Sequence, residues 1–367
     1  MNRKKTKKQE GLALEPLFEG AVKRPLVIAG PCSAETEEQL LAAAEGLAPL
    51  GVDYFRAGIW KPRTRPGNFE GAGFEALPWL RRVKEVYGLR VITEVANGEH
   101  LFAALKHGID AVWIGARTTV NPFSVQEIAD ALRGLDIPVF IKNPVNPDLN
   151  LWIGAIERIY EAGIRRLAVI HRGYSAHGAS KYRNKPLWQL PIELKRRFPN
   201  LPILVDNSHI CGERSGLLAV AQKAMDLNYD GLMTEVHPSP DDAWSDKAQQ
   251  ITPASFGELL AALVLRAPST DDEEFRNLLE QLRSEIDEID EQLLDLLGQR
   301  MKVAEQIGLY KKRNNIAILQ AGRWEEILRR AQMLGEARGL SLEFMEAYLR
   351  AIHEESINHQ MRVMNEE

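Results

Sequence analysis

Between residues 25 and 266 the chain repeats one pattern: a short apolar run, a polar turn, then apolar positions three and four apart. The runs are Pro25–Ser33, Tyr54–Ile59, Arg90–Val95, Ala111–Ala116, Pro138–Asn143, Arg166–Arg172, Pro202–His209 and Gly231–His237. Continuously apolar runs mark strands covered on both faces, the habit of parallel sheets. The stretches after them, such as Phe74–Tyr87, His100–His107, Ser124–Leu132 and Arg214–Leu227, read as amphipathic helices. Eight strand–helix units in this length predict an α/β chain closed into a (β/α)8 barrel. An open, doubly wound sheet is the alternative. A GxGxxA-like string at Gly71–Ala76 follows a loop rather than a strand, so it does not serve as a dinucleotide fingerprint.

The pattern changes after Arg266. Residues 267–273 carry Pro268, Ser269, Thr270 and acids and read as a linker, with Thr270 or Asp271 able to cap the next helix. From Glu274 to Lys312 there is no proline, and Leu282, Ile286, Ile289, Leu293, Leu296, Val303, Ile307 and Tyr310 form a heptad seam. A loop near 313–319, a second helix over about 323–336, a break at Gly339 and a third helix to about Val363 complete an all-α domain. The predicted organisation is a basic tail over 1–20, a barrel over 21–266, a linker over 267–273 and a three-helix domain over 274–367.

Composition narrows the function classes. The chain has 367 residues, 45% hydrophobic and 26% charged, with a net charge of −5, which gives no global case for nucleic acid. The cluster Lys4, Lys5, Lys7 and Lys8 reads as a disordered, solubilising tail. No apolar run has the length of a membrane span, and no apolar stretch follows the basic N-terminus as a secretory signal would require. Two cysteines are too few for a disulfide framework and suit a reducing cytoplasm.

Barrel enzymes work at the C-terminal ends of their strands. Strand 1 ends in Gly30-Pro31-Cys32-Ser33, strand 7 in Asp206-Asn207-Ser208-His209, and strand 8 in Thr234-Glu235-Val236-His237 with Ser245-Asp246 in its loop. Closure makes strands 7, 8 and 1 neighbours, so Cys32, His209, Glu235 and Asp246 can converge. That mixed sulfur, nitrogen and oxygen set suits one divalent transition metal (Mn, Fe, Co or Zn) rather than Mg or Ca. Alone, each of these residues would be ordinary packing or a structural hydrogen bond.

The other strand ends are basic: Arg56 and Lys61-Pro62-Arg63-Thr64, Arg117 with Thr118 and Thr119, Lys142-Asn143, and His171-Arg172-Gly173. Cations gathered at a barrel mouth suit a small, multiply anionic, phosphorylated ligand. Salt bridges to barrel acids are the alternative. The strings GPCS, KPRT, GARTT, KN, HRG, DNSH and TEVHP…SD, in this order through the whole barrel, resemble the motifs of the 3-deoxy-D-arabino-heptulosonate-7-phosphate (DAHP) synthases of short type I form. The resemblance implies a TIM barrel whose substrates are phosphoenolpyruvate and erythrose 4-phosphate. It implies phosphoenolpyruvate held by Arg56, Lys61, Arg117, Lys142 and Arg172, and the sugar phosphate met by Arg63 and Thr64. It also implies a metal that polarises the aldehyde. Lys61 is the candidate for handling a proton or stabilising charge. Octulosonate-phosphate synthases share this chemistry, and the KPRT string argues against them.

The heptad seam contains one charge, Arg300, between Leu296 and Val303. Lys311 lies about three turns on, Arg323 follows in the second helix, and Ser356 and Gln360 continue the third helix's Met345, Leu349, Ile352 stripe. Polar groups on three inward stripes suggest a polar pocket in a bundle, or else a buried ion-pair network. With LRSEID at 282–287, this ordered set resembles the all-α chorismate mutases. The resemblance implies rearrangement of chorismate to prephenate, with Arg283, Arg300, Lys311, Gln320, Arg323, Ser356 and Gln360 on the substrate. Trp324 stands where an acid is common, and Gln320 where an aspartate is. Arg283 is roughly 25 Å along the helix from Arg300, so one ligand can meet both only if Arg283 comes from a partner. The prediction is a homodimer through the long helix, able to grow to a tetramer. Two readings stand: a bifunctional aromatic-pathway enzyme with prephenate as feedback ligand, or a synthase whose helical domain mainly binds ligand and dimerises.

Overall fold

A computed structural model describes residues 11–19, 24–61, 67, 69–175, 180–319 and 321–365. The chain divides into two compact units, the break falling between Pro268 and Ser269.

In the first unit eight strands form a closed, all-parallel barrel: β1 Leu26–Gly30, β2 Tyr54–Arg56, β3 Val91–Val95, β4 Ala111–Ile114, β5 Val139–Lys142, β6 Leu167–His171, β7 Ile203–Asp206 and β8 Gly231–Glu235. The doubly wound alternative is excluded, because β8 pairs with both β1 and β7. Each strand is shorter than its apolar run. The run through His209 breaks at Asp206, whose carboxylate accepts from the His209 backbone N–H and starts a short helix, Asn207–Cys211. His209 therefore sits on a helical turn rather than on a strand.

Side chains alternate across each strand. Val27, Ala29, Val91, Val139 and Val205 face the surrounding helices, whereas Leu26, Ile28, Ile92, Trp113, Phe140, Leu204 and Met233 fill the barrel interior. The same two-residue step carries this interior face onward to the charged strand ends. Tyr54 leads to Arg56, Ile92 to Glu94, Phe140 to Lys142, Leu204 to Asp206 and Met233 to Glu235. Five ionisable residues thus enter the barrel mouth because the core residues two positions before them face inward. Gly30 closes the β1–β2 contact, for a Cβ there would stand 2.1 Å from the Arg56 carbonyl oxygen.

The segment 11–19, predicted as tail, is packed against the barrel. Leu12 and Leu17 are buried, Leu17 belongs to the interior cluster, and Phe18 sits edge-on to Tyr54. The lysine cluster before it dominates the local composition and hides this short apolar signal; those lysines lie outside the described residues.

Among the described residues the second unit has three helices, Glu273–Arg313, Ala321–Glu336 and Leu342–Asn365. The cap of the first is Asp272, not Thr270 or Asp271: its carboxylate accepts from Phe275 N at 3.0 Å. Acids open this helix and Lys311, Lys312 and Arg313 close it, matching its dipole. Gly308 lets the third helix approach closely, since a Cβ there would lie 3.0 Å from the Gln360 Cα. Leu282, Ile286, Ile289, Leu293 and Leu296 of the seam are 47–60% exposed in the single chain.

Candidate active sites at the barrel mouth and in the helical unit

One cavity at the C-terminal mouth is lined by all four predicted metal donors and by Arg56, Lys61, Arg117, Lys142 and Arg172. Cys32 Sγ lies 3.2 Å from Asp246 Oδ2, and His209 Nδ1 lies 3.8 Å from Glu235 Oε1. Among the described residues no three His, Cys, Asp or Glu side chains are gathered as a ready metal cluster. Lys61 Nζ instead stands 2.5 Å from Cys32 Sγ and donates to the Cys32 carbonyl. Burial pushes the Cys32 thiol up to about 12; Glu235 adds to the effect and Lys61 opposes it.

The donor set nonetheless fits a divalent transition metal in its chemistry. The Asp206 carboxylate engages His209 Nδ1 at 2.8 Å, which leaves Nε2 as the ring nitrogen for a cation, the usual carboxylate–imidazole support of a metal ligand. Burial alone would raise Glu235, but His209, Arg56 and Lys61 together more than offset it and hold the carboxyl below its usual range. Burial would raise Asp246 too, and His209, Lys61 and Arg183 hold it low instead. Both carboxylates are thus kept as anions. Asp246 also adopts φ +46°, a left-handed conformation that aspartate tolerates better than most residues.

The basic groups divide into two sets. Arg56 pairs with Glu235 at 3.1 Å and Lys142 with Asp206 at 2.8 Å, so two of the predicted phosphoenolpyruvate cations are salt-bridged to barrel acids. Both also lie over the Trp113 ring, at 4.9 and 5.4 Å. Arg117 and Arg172 line the cavity, and burial lowers Arg172 to about 10, with Arg117 and Arg183 adding repulsion and Asp206 opposing it. Crowded guanidinium groups of this kind favour an anion between them. Arg63 and Thr64 lie outside the described residues.

Three contributors carried no signal in the sequence. Arg183 joins the cavity wall and donates to Asp246 at 3.0 Å and to Gln249 at 2.7 Å; Gln249 in turn donates to Glu235. Asn184 accepts from Arg172 and donates to the His209 carbonyl. Arg183 and Asn184 come from the polar connection after β6, where such residues are ordinary, and only folding brings them over β7 and β8.

In the helical unit Arg300 is not a core residue of the single chain: it is exposed, and its guanidinium reaches Ser356 Oγ on the third helix. Lys311 Nζ donates to the Ile318 carbonyl at 2.5 Å. Ser356 and Gln360 are buried, and Gln360 Oε1 has no hydrogen-bond partner among the described residues. Arg300, Ser356 and Gln360 thus share the face between the first and third helices. Arg283 is exposed and pairs with Glu280 on its own helix. Trp324 stacks on His353, centroids 4.2 Å apart. Gln320 and the side chain of Arg323 lie outside the described residues.

Residues 5–266 match the model of the DAHP synthetase I family, and residues 282–361 match chorismate mutase type II. A phospho-2-dehydro-3-deoxyheptonate aldolase of Thermotoga maritima is 33% identical over 234 residues, covering 64% of this chain and 67% of the relative. A 2-dehydro-3-deoxyphosphooctonate aldolase of Wolinella succinogenes is 28% identical over 264 residues, covering 65% and 98%. The crystal structure of the Thermotoga maritima DAHP synthase superposes with a TM-score of 0.61 at 28% identity, covering 74% of each chain. A truncated form from the same organism gives 0.59 at 26%, covering 74% of this chain and 94% of that one.

Proposed function

The chain belongs to the DAHP synthetase I family and carries a chorismate mutase type II domain behind its barrel, and on that premise we propose a bifunctional enzyme of aromatic biosynthesis. The barrel condenses phosphoenolpyruvate with erythrose 4-phosphate to DAHP and phosphate. The observation that carries this is the cavity shared by Cys32, His209, Glu235, Asp246 and the cations Arg117, Lys142 and Arg172. Arg117 and Arg172 hold the phosphate of phosphoenolpyruvate, while Lys142, Arg56 and Lys61 surround its carboxylate. Arg63 and Thr64 take the phosphate of the sugar. Cys32, His209, Glu235 and Asp246 hold a divalent Mn, Fe, Co or Zn ion, which when bound supplies a Lewis acid at the aldehyde oxygen. With the two substrates aligned, carbon 3 of phosphoenolpyruvate attacks the aldehyde carbon, water adds at carbon 2, and phosphate leaves. Lys61, beside the thiol and the acids, stabilises charge or passes a proton as the aldehyde oxygen becomes a hydroxyl.

The helical unit rearranges chorismate to prephenate, a unimolecular step that needs restraint and positive charge rather than an acid or a base. Arg300 and the partner copy's equivalent of Arg283 grip the carboxylates, Lys311 and Gln360 meet the ether oxygen, and Arg323, Ser356 and Gln320 complete the site. The buried Gln360 Oε1, without a hydrogen-bond partner among the described residues, and the reach of Arg300 to Ser356 one turn before it support this placement. The half-exposed seam of the long helix supports a homodimer, and the fusion supports prephenate as a feedback ligand of the synthase. A coupled assay of the full-length chain tests the barrel reading: phosphate release that needs both substrates and disappears with a chelator is expected. Prephenate formation by the wild-type chain, absent in Arg300→Ala, tests the second; a folded dimer without it would make the helical unit a binding and dimerisation module.

A further inference from the structure

The described residues between β6 and the helix Gln189–Arg197 are pinned at the barrel mouth. Tyr174 and Lys185 pair with each other, Arg183 N donates to the Cys211 carbonyl, and Asn184 N donates to the Ile210 carbonyl. Gly173, at φ +78°, lets the two arms meet, since a Cβ there would stand 2.6 Å from the Asn184 carbonyl oxygen. Asn184 is 7% exposed. Its side chain bridges two groups that have separate tasks in a synthase, one toward the phosphate and one toward the metal. Oδ1 accepts from Arg172 Nη1 at 2.7 Å, and Nδ2 donates to the His209 main-chain oxygen at 2.6 Å. The amide cannot be reversed, because a guanidinium only donates and a carbonyl only accepts.

We propose that Asn184 is a positioning residue that couples the phosphate-holding Arg172 to the turn carrying the metal-facing His209. Occupation of one site then favours occupation of the other. The inference rests on the proposed synthase reading. Its physical content is a short, rigid chain: anion, Arg172 guanidinium, Asn184 amide, His209 carbonyl. The turn at the far end is only five residues long and is held at its start by Asp206, which also grips His209 Nδ1. An anion that draws Arg172 into the cavity therefore orients the turn from which the imidazole projects. A second arm runs in parallel, from Arg183 to Asp246 and through Gln249 to Glu235. One connection thus touches three of the four candidate metal donors, directly or through Gln249. A simple structural amide would fix the loop without linking the two ligands.

Linkage supplies the test, because the factor by which phosphoenolpyruvate tightens Mn²⁺ must equal the factor by which Mn²⁺ tightens phosphoenolpyruvate. Both are measured by calorimetry on the full-length, metal-stripped chain, with no turnover because the sugar phosphate is left out. In Asn184→Asp the carboxylate still accepts from Arg172 but has no hydrogen for the His209 carbonyl. The expected result is weaker phosphoenolpyruvate binding in the absence of metal, because the new carboxylate competes for Arg172, and a coupling factor reduced by about fivefold, the weight of one hydrogen bond between neutral groups. Asn184→Ser, which is smaller and reaches neither group, should lose the coupling and also weaken phosphoenolpyruvate binding, and it serves if the Asp variant does not fold. An unchanged coupling factor in either folded variant overturns the proposal. A wild-type chain that binds both ligands independently overturns it as well while leaving the synthase reading intact; a wild-type chain that binds neither removes both.

Discussion

Replacing Asp206 with Asn changes one atom's chemistry at a buried, multiply bonded acid of the barrel mouth. Asp206 is fully buried, accepts from Lys142 Nζ at 2.8 Å and from His209 Nδ1 at 2.8 Å, and caps the 207–211 turn through His209 N at 3.0 Å. An amide can keep the cap, but it leaves the Lys142 ammonium buried without a counter-charge. Breaking a buried pair costs about 3–5 kcal/mol, and the retained hydrogen bonds place this case near the lower end. For a domain of this size that is a fall in melting temperature of roughly 6–12 °C, read by circular dichroism on the metal-stripped chain. The pH dependence has a definite sign. Burial alone would raise Asp206, but His209 and Lys142 outweigh it and hold the carboxyl well below its usual 3.8. Its contribution is therefore fully present above the unfolded value and is lost only as pH falls further, toward the folded one. The gap between wild type and variant should still be open at about pH 5 and shrink only below about pH 4. Since the carboxylate also sets the His209 tautomer, Mn²⁺ affinity should fall about 10–100-fold. A gap under about 1 kcal/mol at neutral pH, or one already closed at about pH 5, would refute the electrostatic account. Unchanged Mn²⁺ affinity would refute the role given to His209.

Gly30→Ala forces a Cβ to 2.1 Å from the Arg56 carbonyl at φ +149°, so the urea midpoint of the barrel should drop by the equivalent of more than about 3 kcal/mol; a near-normal midpoint would mean that the β1–β2 contact has room to spare. Chelation should abolish DAHP formation and leave prephenate formation untouched, with Mn²⁺ restoring the first; equal loss of both would contradict two independent chemistries. Leu293→Glu places a charge in the exposed heptad seam, and sedimentation should show monomers with mutase turnover down at least about a hundredfold, the scale expected when a charged transition-state contact is withdrawn. A fully active monomer would show that Arg283 does not act across a dimer.

The cap of the long helix escapes a sequence reading because several adjacent residues have suitable chemistry and nothing local chooses between them, whereas the packing of residues 11–19 escapes it because the lysines before them mask a short apolar signal. Asp272 rather than Thr270 or Asp271 caps the helix once its first turn is fixed. Leu17 and Phe18 become part of the core only because the base of the barrel offers them an apolar seat beside Tyr54.

What the sequence determined by itself was periodic. Eight apolar runs set eight strands, the two-residue step set which side chains enter the mouth, and the heptad seam set a helix of 41 residues. These are local properties, because side-chain direction follows from backbone geometry within a strand or a helix turn. Glu235 ends β8 and Cys32 lies just past β1, while His209 comes from the turn after β7 and Asp246 from the loop after β8, and all four line one cavity. Tertiary structure alone decided how those groups are paired: Arg56 with Glu235, Lys142 with Asp206, Lys61 with Cys32. It also decided that Arg183 and Asn184 reach across from the β6 connection. Such contacts join residues tens to hundreds of positions apart. Their partners are chosen by distance and desolvation after the barrel closes, and no spacing along the chain records them.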